Sequence, residues 1–518
     1  MTSRRHPVQA IAYAPSDSSP RLLVAIAETV YAISTTTHET VAIWKAPPAP
    51  VQGKPQPQAP DAVIAGKAEE GGDAATEETL PADEATTAPP TTEGNTESTD
   101  VVMADSPPSV GSSAGKRKRS PSATLNPPAE ATGSVDADAE SKKLDKMTRN
   151  QKKSQKKKAK NAAKPLPPPQ PNYIGQLVPL EGRNLIAITT LEDKTLRLHN
   201  SETLEVVKEW VLHKRPSEIT LTPATILVGD KFGDVFSYKI PPPLELEEPS
   251  EGKLLLGHVS LLTTLTTATS PQQIAQNGDS GDAKKYIITA DRDEHIRITN
   301  YPLTHVIHGF CLGHTAFVNR LLITKDNFLV SGGGDDWLGL WDWKAGKLLQ
   351  RVDIRAPIDA MLSHEEGKAL TEKLRGYNKK RKRREEGEAE VDITIAVTEI
   401  LEVDGREVIV VLEGIPALLR YKYTTEGKLE YSGSIKAAGS VTSVAVYGSR
   451  VYFGADSDEG TLASYADITE GEITAKDFFD GKPFEGQLIE ESGVDAVNER
   501  LYTVEAFRKG FGGFMEDD

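Results

Sequence analysis

The chain has 518 residues and a formal net charge of −16, long enough for one large domain or several small ones. Hydrophobic residues make up 38% and aromatics 6%, with 34 prolines and 41 glycines; part of the chain cannot support a core, so the rest must be a richer globular unit. The single cysteine, Cys311, excludes an internal disulfide and a cysteine-based zinc site, and no run approaches the roughly 20 apolar residues of a membrane-spanning helix.

The N-terminal stretch MTSRRHPVQAIAYAP lacks a long apolar core, so no secretory signal is expected. Four short β-like runs follow: Val8–Ala12, Leu22–Ile26, Val30–Ile33 and Thr40–Trp44. β-Branched residues separated by Asp, Ser and Pro favour strands over long helices. Four strands ending in Trp are the content of one propeller blade, so residues 1–46 are read as the first.

From 47 to 171 Ala, Pro, Glu, Thr and Ser dominate and no periodicity survives. Such a segment buries too little apolar surface to offset chain entropy and is expected to be a disordered insertion, acidic and then basic. Its Lys116–Arg119 and Lys152–Lys160 runs fit a solvated charge run, nuclear import or RNA contact. Interleaved aromatics are missing from them, so base stacking is not indicated.

Strand grammar resumes at Tyr173. Asn184–Thr190, a charged turn and Leu196–His199 make a strand–turn–strand unit, with His199 in the place of the Trp of a WD repeat. LVGDKFGDVFSY repeats the pattern with Tyr238 in that place. A third unit runs from Gly257-His258 to Thr299, and a fourth from Gly313-His314 to Trp341-Asp342. A second charged insertion is read at 369–390, within an otherwise propeller-like 172–505, before an acidic tail at 506–518. Blades are assigned to Val8–Trp44, Tyr173–Leu212, Pro216–Ile240, Leu254–Ile307, Phe310–Val352, Ile393–Tyr431 and Ser434–Val504. The fold class is therefore all-β: a seven-bladed WD-repeat β-propeller with long disordered insertions. A blade cannot bury both faces alone, and open end blades would expose edges. Val8–Ala12 is expected to close the ring by completing the last blade.

His258 and His314 invite a metal or catalytic reading, but the WD grammar gives them a structural one. Each is expected to bond the Asp of its blade's turn, Asp293 and Asp335, with Trp341 closing the fourth unit. No HExxH spacing, G-x-S-x-G elbow or βαβ pattern is present, and Gly332–Gly334 lacks the GK[ST] of a phosphate loop. The chain is expected to have no catalytic residue, no metal and no cofactor of its own.

The stretches LVGDKFGDVFSY, LLLGHVSLL, ITADRDEHIRITNYP, FCLGHTAFVNRLL and SGGGDDWLGLWDWKAG go beyond generic WD signatures. They resemble the non-catalytic WD-repeat subunit of the fungal tRNA guanine-N(7) methyltransferase. That resemblance implies a heterodimer with a Rossmann-like catalytic subunit, which binds S-adenosylmethionine and methylates a guanosine in the tRNA variable loop. It implies a nuclear scaffold that meets tRNA through the complex and no membrane. Arg297 is implied to pair with an acidic group of the partner, and Asp291, Arg292, Glu294 and His295 to join the contact by adjacency. A generic WD adaptor, such as a ubiquitin-ligase substrate receptor or a ribosome-assembly scaffold, is the alternative.

Overall fold

The computed structural model describes residues 3–16, 20–49, 171–180, 182–241, 251–270, 284–363, 370, 394–457, 463–469, 471, 473–480, 488–490 and 504–507. Almost all of the insertions expected at 47–171 and 369–390, and the tail beyond 507, lie outside these residues.

Seven four-stranded antiparallel sheets follow one another along the chain. Their first strands are Ala10–Ala14, Ile174–Leu180, Pro216–Leu221, Leu262–Thr269, Val318–Ile323, Val397–Val403 and Ser440–Tyr447. Each of these touches the next, and the last touches the first, so the sheets close into a ring of seven blades, numbered one to seven in that order. Second strands such as Arg21–Ile26 and Glu407–Leu412 are buried almost throughout, whereas outer strands such as Thr40–Lys45 are mostly exposed. This gradient explains why the second strands read as continuous apolar runs and the outer ones as alternating.

The blade partition differs from the expected one at three places. Leu429–Lys436, split between the two last expected blades, is the outer strand of blade six. Lys253–Gly257 is the outer strand of blade three, and Ile307–Cys311 the outer strand of blade four. A hairpin period alone does not tell an outer strand from the inner strand that follows it.

The closure also differs. Ala10–Ala14 pairs within blade one, and blade seven uses its own Ala463–Asp467 and Lys476–Asp477. Among the described residues no strand is exchanged between them. Instead Ser3–Arg5 pairs antiparallel with Leu488–Glu490, which the sequence pattern places in blade seven. Val8, fully buried, packs against blade seven by its side chain alone: a Cβ placed on Gly454 would lie 2.7 Å from Val8 Cβ.

A bulge interrupts the first strand of five consecutive or neighbouring blades at one register position, between Pro216/Glu218, Leu262/Thr264, Val318/Arg320, Val397/Glu399 and Val441/Ser443. The skipped residue is always Ser, Thr or Asn. Two of these stitch a blade to the next: Thr263 Oγ1 donates to Val318 O, and Asn319 Nδ2 donates to Val397 O at 2.8 Å. A bulge re-aims the following side chain. Here it brings Glu218, Arg320 and Glu399, from blades three, five and six, into one cluster. Arg320 grips Glu399 with Nε and Nη2 (3.1 and 3.0 Å) and reaches Glu218 with Nη1 (3.1 Å). Gln176 of blade two donates to Glu218 at 2.5 Å. Four blades are thereby tied by side chains of their innermost strands.

Candidate docking surface

Blade five shows what a complete WD unit does. Trp341 Nε1–H donates to Ser331 Oγ (2.8 Å), the Ser331 hydroxyl donates to His314 Nε2 (2.7 Å), and His314 Nδ1–H donates to Asp335 (2.7 Å). An indole can only donate and a carboxylate can only accept, which fixes the two ends of the relay; in the neutral imidazole that donates to Asp335, Nε2 is the acceptor for Ser331. All four side chains are buried. Burial alone would raise the Asp335 carboxyl; the bonds from His314 and Thr315 outweigh it and hold it below the usual carboxylate range. His314, Asp335 and Trp341 thus have the structural places expected of them.

Blade four departs from the expectation in one residue. His258 bonds Asp291 (Nδ1 to Oδ2, 3.1 Å) and Thr289 (Nε2 to Oγ1, 2.8 Å), not Asp293. The strand Lys285–Asp291 runs one residue further into the turn than its apolar pattern indicates, so Asp291 holds the structural position. Its Oδ1 also accepts the Asp293 and His295 amides at 2.9 and 3.2 Å, an Asx-type turn that Asp230 repeats in blade three. Burial would raise the Asp291 carboxyl, but the bonds from His258 and the His295 amide hold it below its ordinary range. Asp291, expected among the contact residues, is committed to its own blade. Asp293, expected to tie His258, stands half-buried on the turn instead.

The other turn residues are displayed. Glu294 takes a positive φ of 74°, and the His295 side chain is 54% exposed. Arg292 Nε donates to the Phe507 carbonyl at 3.1 Å. Arg297 is half-buried. Its Nη1 donates to Gly257 O at 3.0 Å, while Nε and Nη2 are shielded from solvent and have no partner among the described residues. Burial lowers its pKa from the ordinary guanidinium value, with Asp291 partly offsetting this.

Opposite Arg297 on the outer strand stands Phe310, 42% exposed; Leu312 is 61% exposed, and Val259, beside His258, is fully exposed. These three apolar neighbours were not singled out from the sequence. The signal was there in FCLGH: with Cys311 buried, strand alternation turns Phe310 and Leu312 outward. Arg297 thus stands beside exposed apolar side chains on the outer edge of blade four.

The family model of the tRNA methyltransferase TRM82 WD40 domain matches residues 22–253 and 244–475. The chain belongs to the TRM82 WD40 domain family. It is 39% identical over 225 residues to a tRNA (guanine-N(7)-)-methyltransferase non-catalytic subunit of Aspergillus oryzae, covering 33% of this chain and 45% of that protein. The subunit of Meyerozyma guilliermondii is 37% identical over 203 residues (38% and 46%). That of Coccidioides immitis is 32% identical over 326 residues (51% and 58%). The chain thus spans about half the length of the TRM82 relatives it matches. Among the described residues no group of His, Cys, Asp or Glu is arranged to hold a metal ion.

Proposed function

We propose that this chain is a non-catalytic scaffold that docks and stabilises the catalytic subunit of a tRNA guanine-N(7) methyltransferase through blade four. One observation carries the docking site: Arg297 keeps two shielded, unpaired N–H groups beside the exposed Phe310. A partner carboxylate would pair with the half-buried guanidinium, and its apolar surroundings would cover Phe310, Leu312 and Val259. The names of the relatives, which are non-catalytic subunits of this enzyme, supply the partner class.

In this reading the partner has the Rossmann-like fold, binds S-adenosylmethionine and modifies the tRNA variable loop. The scaffold meets tRNA through the complex. A nuclear site of action belongs to the same proposal, on the strength of the basic runs Lys116–Arg119 and Lys152–Lys160.

The test is copurification of the full chain with the methyltransferase, followed by assay of 7-methylguanosine in tRNA. Arg297→Glu should abolish the pairing and the modification while leaving the unfolding temperature unchanged. An Arg297→Glu chain that still pairs and supports modification would sink the site. Capture of a ubiquitin ligase or ribosome-assembly complex in place of a methyltransferase would favour the adaptor reading.

A further inference from the structure

The 3₁₀ turn Val504–Phe507 lies far from the docking strand in sequence, yet it is bonded to the docking turn. The Phe507 carbonyl accepts from Arg292 Nε at 3.1 Å. The Phe507 ring packs edge-on against Phe317 of the blade four to blade five loop, 5.6 Å between centroids. The Val504 amide donates to Glu413 Oε1 at 2.9 Å, at the turn of blade six. The same short segment therefore grips blades four, five and six.

What it grips is itself rigid. Phe317 is 2% exposed, and its carbonyl accepts the Gly334 amide at 2.9 Å. Glu413 follows the buried strand Glu407–Leu412, and its own amide is bonded to Ala396 O at 2.8 Å. By contrast, Arg292 stands in a turn with a positive-φ residue two positions on, and the His295 side chain faces solvent. The tie runs from two buried points to the half-buried Arg292 of the docking turn. The described bonds of this segment do not involve His295 or Arg297, so they do not compete for the surface assigned to the partner.

We propose that Val504–Phe507 is a positioning strap. By holding Arg292, it fixes the Asp291–Arg297 turn in the docking conformation before a partner arrives. Pre-ordering removes an entropic cost from association, so affinity at blade four depends on Phe507 although Phe507 lies outside the contact. This inference rests on the docking reading above.

Two readouts on the full chain separate the strap from that reading. The first needs no partner: hydrogen exchange at the Asp293 and His295 amides, which both donate to Asp291. Phe507→Ala should accelerate exchange there by about 10-fold or more, while amides of Leu22–Ile26 in blade one keep their protection. Phe507→Tyr, which keeps the ring, should restore the slow exchange. The second readout is the dissociation constant for the methyltransferase, expected to rise about 10-fold in Phe507→Ala and to recover in Phe507→Tyr. Unchanged exchange at the turn would overturn the strap. So would faster exchange with unaltered or tighter binding. A wild-type chain that binds no methyltransferase, with exchange at the turn still governed by Phe507, would overturn the docking reading and leave the tie itself standing.

Discussion

Arg197 of blade two and Arg297 of blade four occupy the same register position, and only Arg197 has its carboxylates. Ile188 faces the first across the sheet and Thr289 the second. Arg197 bonds Asp193 (2.7 Å), Thr190 (2.7 Å) and Glu209 (2.6 Å). On the outer strand, Glu209 stands opposite Arg197 where Phe310 stands opposite Arg297. Phenyl for carboxylate on the outer strand, together with the lack of counterparts to the Asp193 and Thr190 bonds among the described residues, distinguishes the two cations.

The two arginines should therefore respond differently to truncation. Arg197→Ala leaves the buried Asp193 carboxylate without its cation and should cost roughly 3 kcal/mol or more. Arg297→Ala removes a group that makes one bond and should change stability by under about 1 kcal/mol. Chemical denaturation of the two variants checks this; equal losses would contradict the contrast between the two arginines.

The His–Asp relay of blade five predicts acid sensitivity. Asp335 has its pKa depressed in the folded chain. Its contribution is present above the unfolded value of 3.8 and is lost as pH falls through the folded one. Asp335→Asn should lower the unfolding temperature at pH 7 and narrow the gap to wild type in strong acid. His314→Ala should cost about 1.5–3 kcal/mol at neutral pH by leaving Asp335 and Ser331 without their partner.

Glu218 predicts the opposite slope. Burial, opposed by Arg320 and reinforced by Glu399, pushes its pKa from 4.5 to about 7. A raised folded value means a stabilising contribution that is complete below pH 4.5 and lost as pH rises through 7, on the order of 3 kcal/mol in full. Glu218→Gln should flatten this part of the stability profile between those limits. A profile unchanged by the substitution would show that Glu218 titrates normally.

The seam between blades seven and one offers a packing test. A Cβ on Gly454 would sit 2.7 and 2.8 Å from Val8 Cβ and Cγ1. Gly454→Ala should destabilise by about 1–3 kcal/mol, and Val8→Ala in the same chain should recover part of that loss. Strict additivity of the two would mean that Val8 does not seat on blade seven.

Strand content, blade number and the blade five relay were legible because each rests on local grammar: alternation, a Gly-His pair, a turn Asp and a closing Trp. Two kinds of relation were not. The partner of His258 depends on where one strand stops, and Asp291 and Asp293 are two residues apart in an equally charged turn. The core cluster of Glu218, Arg320 and Glu399 depends on bulges that reverse the facing of one residue. A trace of these bulges does exist in Pro216-Ser217-Glu218, Leu262-Thr263-Thr264, Val318-Asn319-Arg320, Val397-Thr398-Glu399 and Val441-Thr442-Ser443, where a small polar residue interrupts each inner strand. The Arg292–Phe507 bond joins residues more than two hundred positions apart, and no periodicity in either segment announces it.

The absence of strand exchange has a topological consequence. Every blade is a single uninterrupted stretch of sequence, and Ser3–Arg5 lies alongside Leu488–Glu490. The order of blades in space is thus independent of where the polypeptide is cut between them. A circularly permuted chain, joined near those paired segments and opened between Lys45 and Ile174, would retain all seven sheets with their hydrogen bonds intact.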